Sequence, residues 1–136
     1  MQAPNVRAVV TGGVSGLGLT VAQRLVADCG RVALFDVNED RGAAAVADLG
    51  AGRAAFFRTD VTDEAGVAAN VAAASGFLGG LNACINCAGI LGAGRVLGRE
   101  GPMPLSQFQA TVMVNLVGSF NVAKAAAAEL PSNLHG

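Results

Sequence analysis

The chain has 136 residues, which predicts one domain and leaves little room for a second. Hydrophobic residues make up 52% and charged residues 14%, which excludes a disordered chain. A formal net charge of −1, with no Lys/Arg run, excludes the electrostatic footprint of a nucleic-acid or anionic-membrane binder.

In chain order, the N-terminus lacks the basic, apolar and small-residue zones of a secretory signal, and no 18-residue apolar stretch follows, so a soluble cytoplasmic protein is expected. Val6 to Thr11 is a β-rich run ended by Gly12-Gly13. Leu17 to Cys29 then carries Leu17, Val21, Leu25 and Val26 at helical spacing. Arg31 to Phe35 is a second strand ending at Asp36, and Asn38 to Leu49 an alanine-rich helix closed by Gly50. Ala54 to Thr59 makes a third strand. Asp63 to Ser75 makes a third helix, capped by Asp63 and followed by Gly76, and Leu81 to Asn86 a fourth strand. A glycine-rich loop runs from Gly89 to Pro104. Leu105 to Leu130 reads as one long helix, with a stripe of Phe108, Val112, Leu116 and Phe120.

Strands separated by helices predict right-handed βαβ units in a parallel, doubly wound sheet of Rossmann type, with strand order 3-2-1-4. Such sheets usually carry about six or seven strands. Four are present here, so residues 1–136 are expected to be a single Rossmann-type domain, incomplete at the C-terminus, with nothing after Pro131 to cover the outer edge of strand four.

Two glycine-rich and acidic positions carry the chemistry. Gly12, Ser15, Gly16, Leu17 and Gly18 lie where the first strand turns into the first helix, the context a nucleotide-binding turn requires. Gly12 permits the tight turn, Gly16 lets backbone approach a pyrophosphate, and Gly18 lets the helix lie close on the sheet. Asp36 follows Gly18 by 18 positions, near the spacing of the carboxylate that takes the adenosine ribose hydroxyls. The alternative is that Asp36 caps the next helix. Asp60 ends strand three at the same edge of the sheet, where it can accept from an adenine amino group; the alternative is that Asp60 or Thr62 caps the third helix.

Cys84 and Cys87 have the C-x-x-C spacing of redox dithiols and of half a zinc site. On a strand, three steps separate α-carbons by roughly 10 Å, beyond the ~7 Å reach of a disulfide, and no second pair exists. No metal site is expected, and the single histidine, His135, is read as a solvent-exposed tail residue.

Taken together, Thr11-Gly12-x-x-x-Gly16-x-Gly18, Asp36, Asp60-Val61, Asn86-Cys87-Ala88-Gly89 and Asn115 within Val114 to Gly118 closely resemble the short-chain dehydrogenase/reductase family over nearly the whole chain. Within it, the Asn86 to Ile90 motif, the Gly92 to Pro104 loop and the Phe108 to Val122 segment are most like the type II 3-hydroxyacyl-CoA dehydrogenases. The resemblance implies NAD as cofactor. It assigns Ser15, Gly16 and Leu17 to the pyrophosphate and nearby ribose, Asp36 to the adenosine ribose, and Asp60 with Val61 to the adenine. Asn86, Cys87, Ala88 and Gly89 fall in the motif that lines the cofactor floor, and Asn115 becomes the catalytic asparagine of a proton relay. A polar residue satisfied on a helix packing face is the alternative for Asn115. Lys124 is read as a solvated side chain.

The family's Ser and Tyr-x-x-x-Lys have no counterpart in this sequence, which contains no tyrosine. The resemblance therefore implies the N-terminal, cofactor-binding half of an NAD-dependent oxidoreductase acting on a secondary alcohol or ketone, including 3-hydroxyacyl-CoA, in its complete form. The chain alone is expected to be inactive. A non-catalytic nucleotide-binding or regulatory module is the alternative. Homo-oligomerisation is expected, through the apolar helix stripe and the open edge of strand four.

Overall fold

The computed structural model describes residues 5–130. His135 and the segment expected to leave the edge of strand four uncovered lie outside the described residues. Strands β1 (Arg7–Thr11), β2 (Arg31–Asp36), β3 (Ala54–Arg58) and β4 (Ala83–Asn86) form one parallel sheet in the order β3-β2-β1-β4, as the sequence predicts. The central pair is apolar along its length because both faces are covered.

Alternation along the strands divides the core in two. Val9, Ala33 and Phe35 pack with Val67, Val71 and Leu78 of α3 (Glu64–Leu78) and with Val122 and Ala126 of α5 (Ser119–Glu129). Their neighbours Val10, Val32 and Leu34 point to the other face and pack with Ala22 of α1 (Gly16–Ala27) and Ala45 of α2 (Glu39–Leu49). All the carboxyl ends of the strands consequently open on the same edge of the sheet.

The caps decide two of the alternatives left open by the sequence. Asn38 caps α2, its side chain accepting from the Arg41 amide at 2.9 Å, and Asp63 caps α3, accepting from the Gly66 amide at 3.2 Å. Neither Asp36 nor Asp60 is the capping residue. Helix α3 also continues past Ser75 to Leu78. Gly76 does not end it, because Phe77 and Leu78 bury against the sheet; Gly79, at φ +72°, supplies the left-handed turn that does.

The last helix departs further from the periodicity. Leu105–Leu130 is not one regular helix: α4 (Leu105–Val112) passes into a π-helical stretch, Met113–Gly118, before α5 begins. On one side of this widened turn Gly118 packs so closely on Val61 that a Cβ there would lie 2.5 Å from Val61 Cγ2. One turn later, the buried Asn121 donates to the Val61 carbonyl at 3.0 Å. The apolar repeat of four residues lies between an α-turn and a wider one, so it carries no mark of the change. The stripe itself faces outward, with Phe108, Leu116 and Phe120 all more than half exposed. Lys124 is exposed, as expected, and its solvated side chain also pairs with Glu64, joining α5 to α3. Within the glycine-rich loop, Leu97–Gly98 and Gly101–Pro102 form a two-residue antiparallel ladder, β5 and β6. Among the described residues no helix is long and apolar enough to cross a membrane.

Candidate functional site

The sharp turn after β1 begins at Thr11, which is fully buried. Its hydroxyl accepts the Cys87 amide at 3.1 Å and the Ala88 amide at 3.0 Å, and lies 3.4 Å from Asn86 Oδ1. This one side chain ties the glycine turn of β1 to the segment leaving β4. No spacing in the sequence gives Thr11 a role of its own; its position at the end of a buried strand, directly before a glycine turn, is the available signal.

Gly12 adopts φ +61° and crosses the Cys87-Ala88 backbone so closely that a Cβ would meet it at 3.0 Å. Gly16, at φ +50°, faces open space, and a Cβ there would touch nothing within 4 Å. Gly18 sits on the Gly12 backbone, with the Gly12 carbonyl carbon 2.7 Å from where its Cβ would be. The three glycines thus do three things: one turns the chain, one leaves room, and one brings α1 against the turn. Helix α1 starts at Gly16 with Ser15 in the capping position, yet the Ser15 side chain makes no capping bond. The amides of the first turn are therefore not occupied by that side chain.

These residues border a cleft of about 520 Å³ along the carboxyl edge of the sheet. It is lined by Gly12, Ser15, Gly16, Leu17 and Gly18 from the first turn, by Asp36 after β2, by Asp60 and Val61 after β3, and by Cys87, Ala88 and Gly89 after β4. Four segments distant in sequence converge here because all four strands run the same way. Val37 and Ile90, next to predicted residues, also line it, and with Leu17 they present exposed apolar side chains at its rim.

Asn86 is the predicted floor residue that the cleft does not include. Its amide turns instead toward the Ser119 carbonyl, at 3.4 Å, and so links the end of β4 to the start of α5. Asn115, within the π stretch, is also not on the cleft wall, although Val114 beside it is. Its Oδ1 accepts from the Ile90 amide at 2.8 Å and its Nδ2 donates to the Ile90 carbonyl at 3.0 Å. The side-chain amide is spent on a two-point clamp that fixes the loop after β4, while Ser119 Oγ donates to the Asn115 carbonyl at 2.7 Å.

Charge at the edge is negative. Asp36 is half-buried and accepts from the Asn38 amide at 3.1 Å. Asp60 is exposed; the Thr62 hydroxyl at 2.7 Å, together with the Thr62 amide at 2.9 Å, holds its carboxyl below the usual carboxylate range. Cys87 lines the cleft through a segment held by backbone bonds, and burial pushes the Cys84 thiol up, which keeps it protonated at neutral pH. Both are free thiols.

Residues 6–136 match the model of the short chain dehydrogenase family. The chain is 39% identical over 128 residues to the human 3-hydroxyacyl-CoA dehydrogenase type-2, covering 93% of this chain and 49% of that protein. It is 41% identical over 113 residues to a 2-dehydro-3-deoxy-L-rhamnonate dehydrogenase (NAD(+)) of Sphingomonas, covering 83% of this chain and 43% of that protein. Among solved structures, the 3-hydroxyacyl-CoA dehydrogenase type-2 of Mycobacterium avium superposes with a TM-score of 0.85 at 34% identity, over 95% of this chain and 50% of the other. The chain spans about half the length of the curated relatives it matches.

Proposed function

The chain belongs to the short chain dehydrogenase family, and from that premise we propose that it carries the NAD-binding half of an oxidoreductase that moves hydride between NAD and a secondary alcohol or ketone, with 3-hydroxyacyl-CoA as the favoured substrate class. The observation that carries this reading is the placement of Asp36. A half-buried carboxylate that caps no helix stands at the end of β2, on the wall of the same cleft as the glycine turn.

The residues present fit a dinucleotide. The open space at Gly16 and the uncapped first turn of α1 suit a pyrophosphate, which the positive end of the helix favours. Asp36 takes the adenosine ribose hydroxyls. The exposed apolar rim of Leu17, Val37 and Ile90 suits flat rings, and Asp60 with Val61 bounds the adenine. Thr11 holds Cys87 and Ala88 in place as the cleft floor, with Asn86 anchoring that floor to α5. Bound NAD supplies the hydride acceptor; this chain's own part is to bind and orient it. Asn115 serves the site by fixing Ile90, and its membership in a proton relay is carried over from the resemblance to relatives of about twice this length. With no tyrosine in its sequence, the 136-residue chain binds cofactor without turnover.

The test is cofactor discrimination. A 2′-phosphate placed near Asp36 meets like charge, and unit charges about 4 Å apart repel by about 4 kcal/mol at an effective dielectric of 20. Because Asp36 is only half-buried, the expected preference for NAD over NADP is about a hundredfold, less than that limit. Calorimetric titration of the chain should show it, and Asp36→Ser should reduce it to less than about tenfold. Equal affinities for NAD and NADP in the unmodified chain would remove Asp36 from the ribose site.

A further inference from the structure

The opposite end of the sheet has the opposite charge. Arg7 and Arg31 are direct partners in the β1–β2 pairing, and Arg53 immediately precedes Ala54, whose partner on β2 is Val32. Three of the chain's nine basic residues therefore stand at the amino ends of three successive strands, spaced about 4.8 Å per strand. They line one cleft of about 670 Å³, and among the described residues no carboxylate lines it with them. The ion pairs found among the described residues use Arg24, Arg58 and Lys124 instead.

The three guanidiniums are each held by a backbone carbonyl oxygen, and that of Arg31 also stacks over the Phe77 ring, 4.8 Å from its centroid. Arg7 Nη1 donates to the Gly79 carbonyl at 3.0 Å and Arg31 Nη1 to the Leu78 carbonyl at 3.3 Å, while Arg53 donates to the carbonyl of Cys29. Two of those carbonyls belong to the end of α3, whose dipole supplies about half a negative charge. That offsets only a fraction of three positive charges. The Nε–H groups of Arg7 and Arg31 are buried and make no hydrogen bond, although buried donors are nearly always paired. A guanidinium offers five donors in a fixed fork, and here most of them are left over.

We propose that this cleft binds a small phosphate-bearing anion, its oxygens shared among Arg7, Arg31 and Arg53. A phosphate carries up to two negative charges and several acceptor oxygens, which match a row of guanidinium forks better than a single carboxylate does. Asn5, on the same wall, adds a neutral side chain that suits the organic part of a phosphate ester, while the Asn82 amide is spent on the wall itself, accepting from the Arg7 amide and donating to the Asn5 carbonyl. This site lies at the far end of the strands from the glycine turn and does not rest on the dinucleotide reading.

Equilibrium dialysis of the full chain against radiolabelled inorganic phosphate, at fixed ionic strength, tests it. Arg53 is exposed at the surface, so Arg53→Gln removes one charge without opening the core, and circular dichroism checks that the fold is kept. Phosphate affinity is expected to fall about tenfold in Arg53→Gln and less in Arg53→Lys, which keeps the charge and loses the fork. Arg31→Gln, measured in parallel, should weaken binding at least as much. Competition by glycerol 3-phosphate more strongly than by phosphate would identify an ester as the ligand, and equal competition would identify the free anion. Unchanged phosphate affinity in both glutamine variants would overturn the proposal, because any binding then resides at the glycine turn. Equal displacement by chloride would overturn it too.

Discussion

The centre of the sheet and its β4 flank are built differently. β1 and β2 each have a strand on both sides and helices on both faces, and every residue of β1 after Arg7 is buried. β4 pairs with β1 alone among the described strands and none of its residues is fully buried, while α4, the π stretch and α5, which packs on β4, hold Phe108, Leu116 and Phe120 respectively out to solvent. The glycine turn after β1 is thus held from a buried strand, whereas β4 combines an edge with no second partner among the described strands and an exposed apolar face. The cleft and the exposed apolar face are separate features of the same sheet.

The largest expected effect exploits that contrast. The chain should associate through its β4 flank, and light scattering at micromolar concentration should report dimers or larger species. Burying about 1,000 Å² of apolar surface contributes roughly 25 kcal/mol before association costs, and an open strand edge templates pairing. Replacing Phe108, Leu116 and Phe120 together by Gln should shift the mass toward monomer. A monodisperse monomer for the unmodified chain would mean that this face is covered within the chain itself.

At the centre of the sheet, glycine substitutions should separate space for ligand from space for folding. Gly18→Ala drives a methyl group onto the Gly12 backbone, which cannot yield as a flexible side chain would, so a loss of about 1–3 kcal/mol in denaturant unfolding is expected. Gly16→Ala meets no atom and bears only the strain of a positive φ, about 1–2 kcal/mol. Its larger consequence should be on NAD affinity, measured by calorimetry. If Gly16→Ala binds NAD as the unmodified chain does, the phosphates are not at that turn.

These positions also show what the sequence made readable. The order of the four strands, the glycine turn and the carboxylates after β2 and β3 follow from local pattern, because a parallel sheet puts every strand end on one edge. Neither the π stretch at Met113–Gly118 nor the roles of Asn86 and Asn115 were readable. They depend on tertiary partners, Val61 and Ile90 for the helix and Ser119 for the strand end, that no spacing rule connects. The role of Thr11 is hidden for the same reason: its hydroxyl bonds residues 76 and 77 positions away. The arginine row has no sequence signature, because Arg7, Arg31 and Arg53 form no run and come together only through strand register.

Thr11 allows a more selective test of how the centre and the β4 flank are joined. Thr11→Val keeps the shape and removes the acceptor of the Ala88 amide; the Cys87 amide retains the Thr11 backbone carbonyl at 3.2 Å. One buried donor left unpaired costs about 1–3 kcal/mol, so the unfolding midpoint should drop accordingly, and Thr11→Ser should recover most of it. Equal stability of the Val variant would show that the floor after β4 is held by backbone alone.

The smallest effect lies at Asp60, where the carboxyl is held low chiefly by the Thr62 hydroxyl and secondarily by the Thr62 amide. A carboxyl lowered in the folded state contributes stability that is complete above its ordinary value, about 3.9, and is lost as pH falls through the folded value. Thr62→Ala removes the hydroxyl and leaves the amide, so the Asp60 titration should move part of the way back up. The variant should then be slightly less stable than the unmodified chain at pH 7, and this gap should close in acid once both carboxyls are protonated. Carboxyl carbon NMR titration reads the shift directly. Since Asp60 remains ionised above pH 5 in both proteins, NAD affinity at neutral pH should differ little between them. A large loss of affinity at that pH would show that the Thr62 hydroxyl itself faces the nucleotide, and would extend the cleft by one residue beyond Val61.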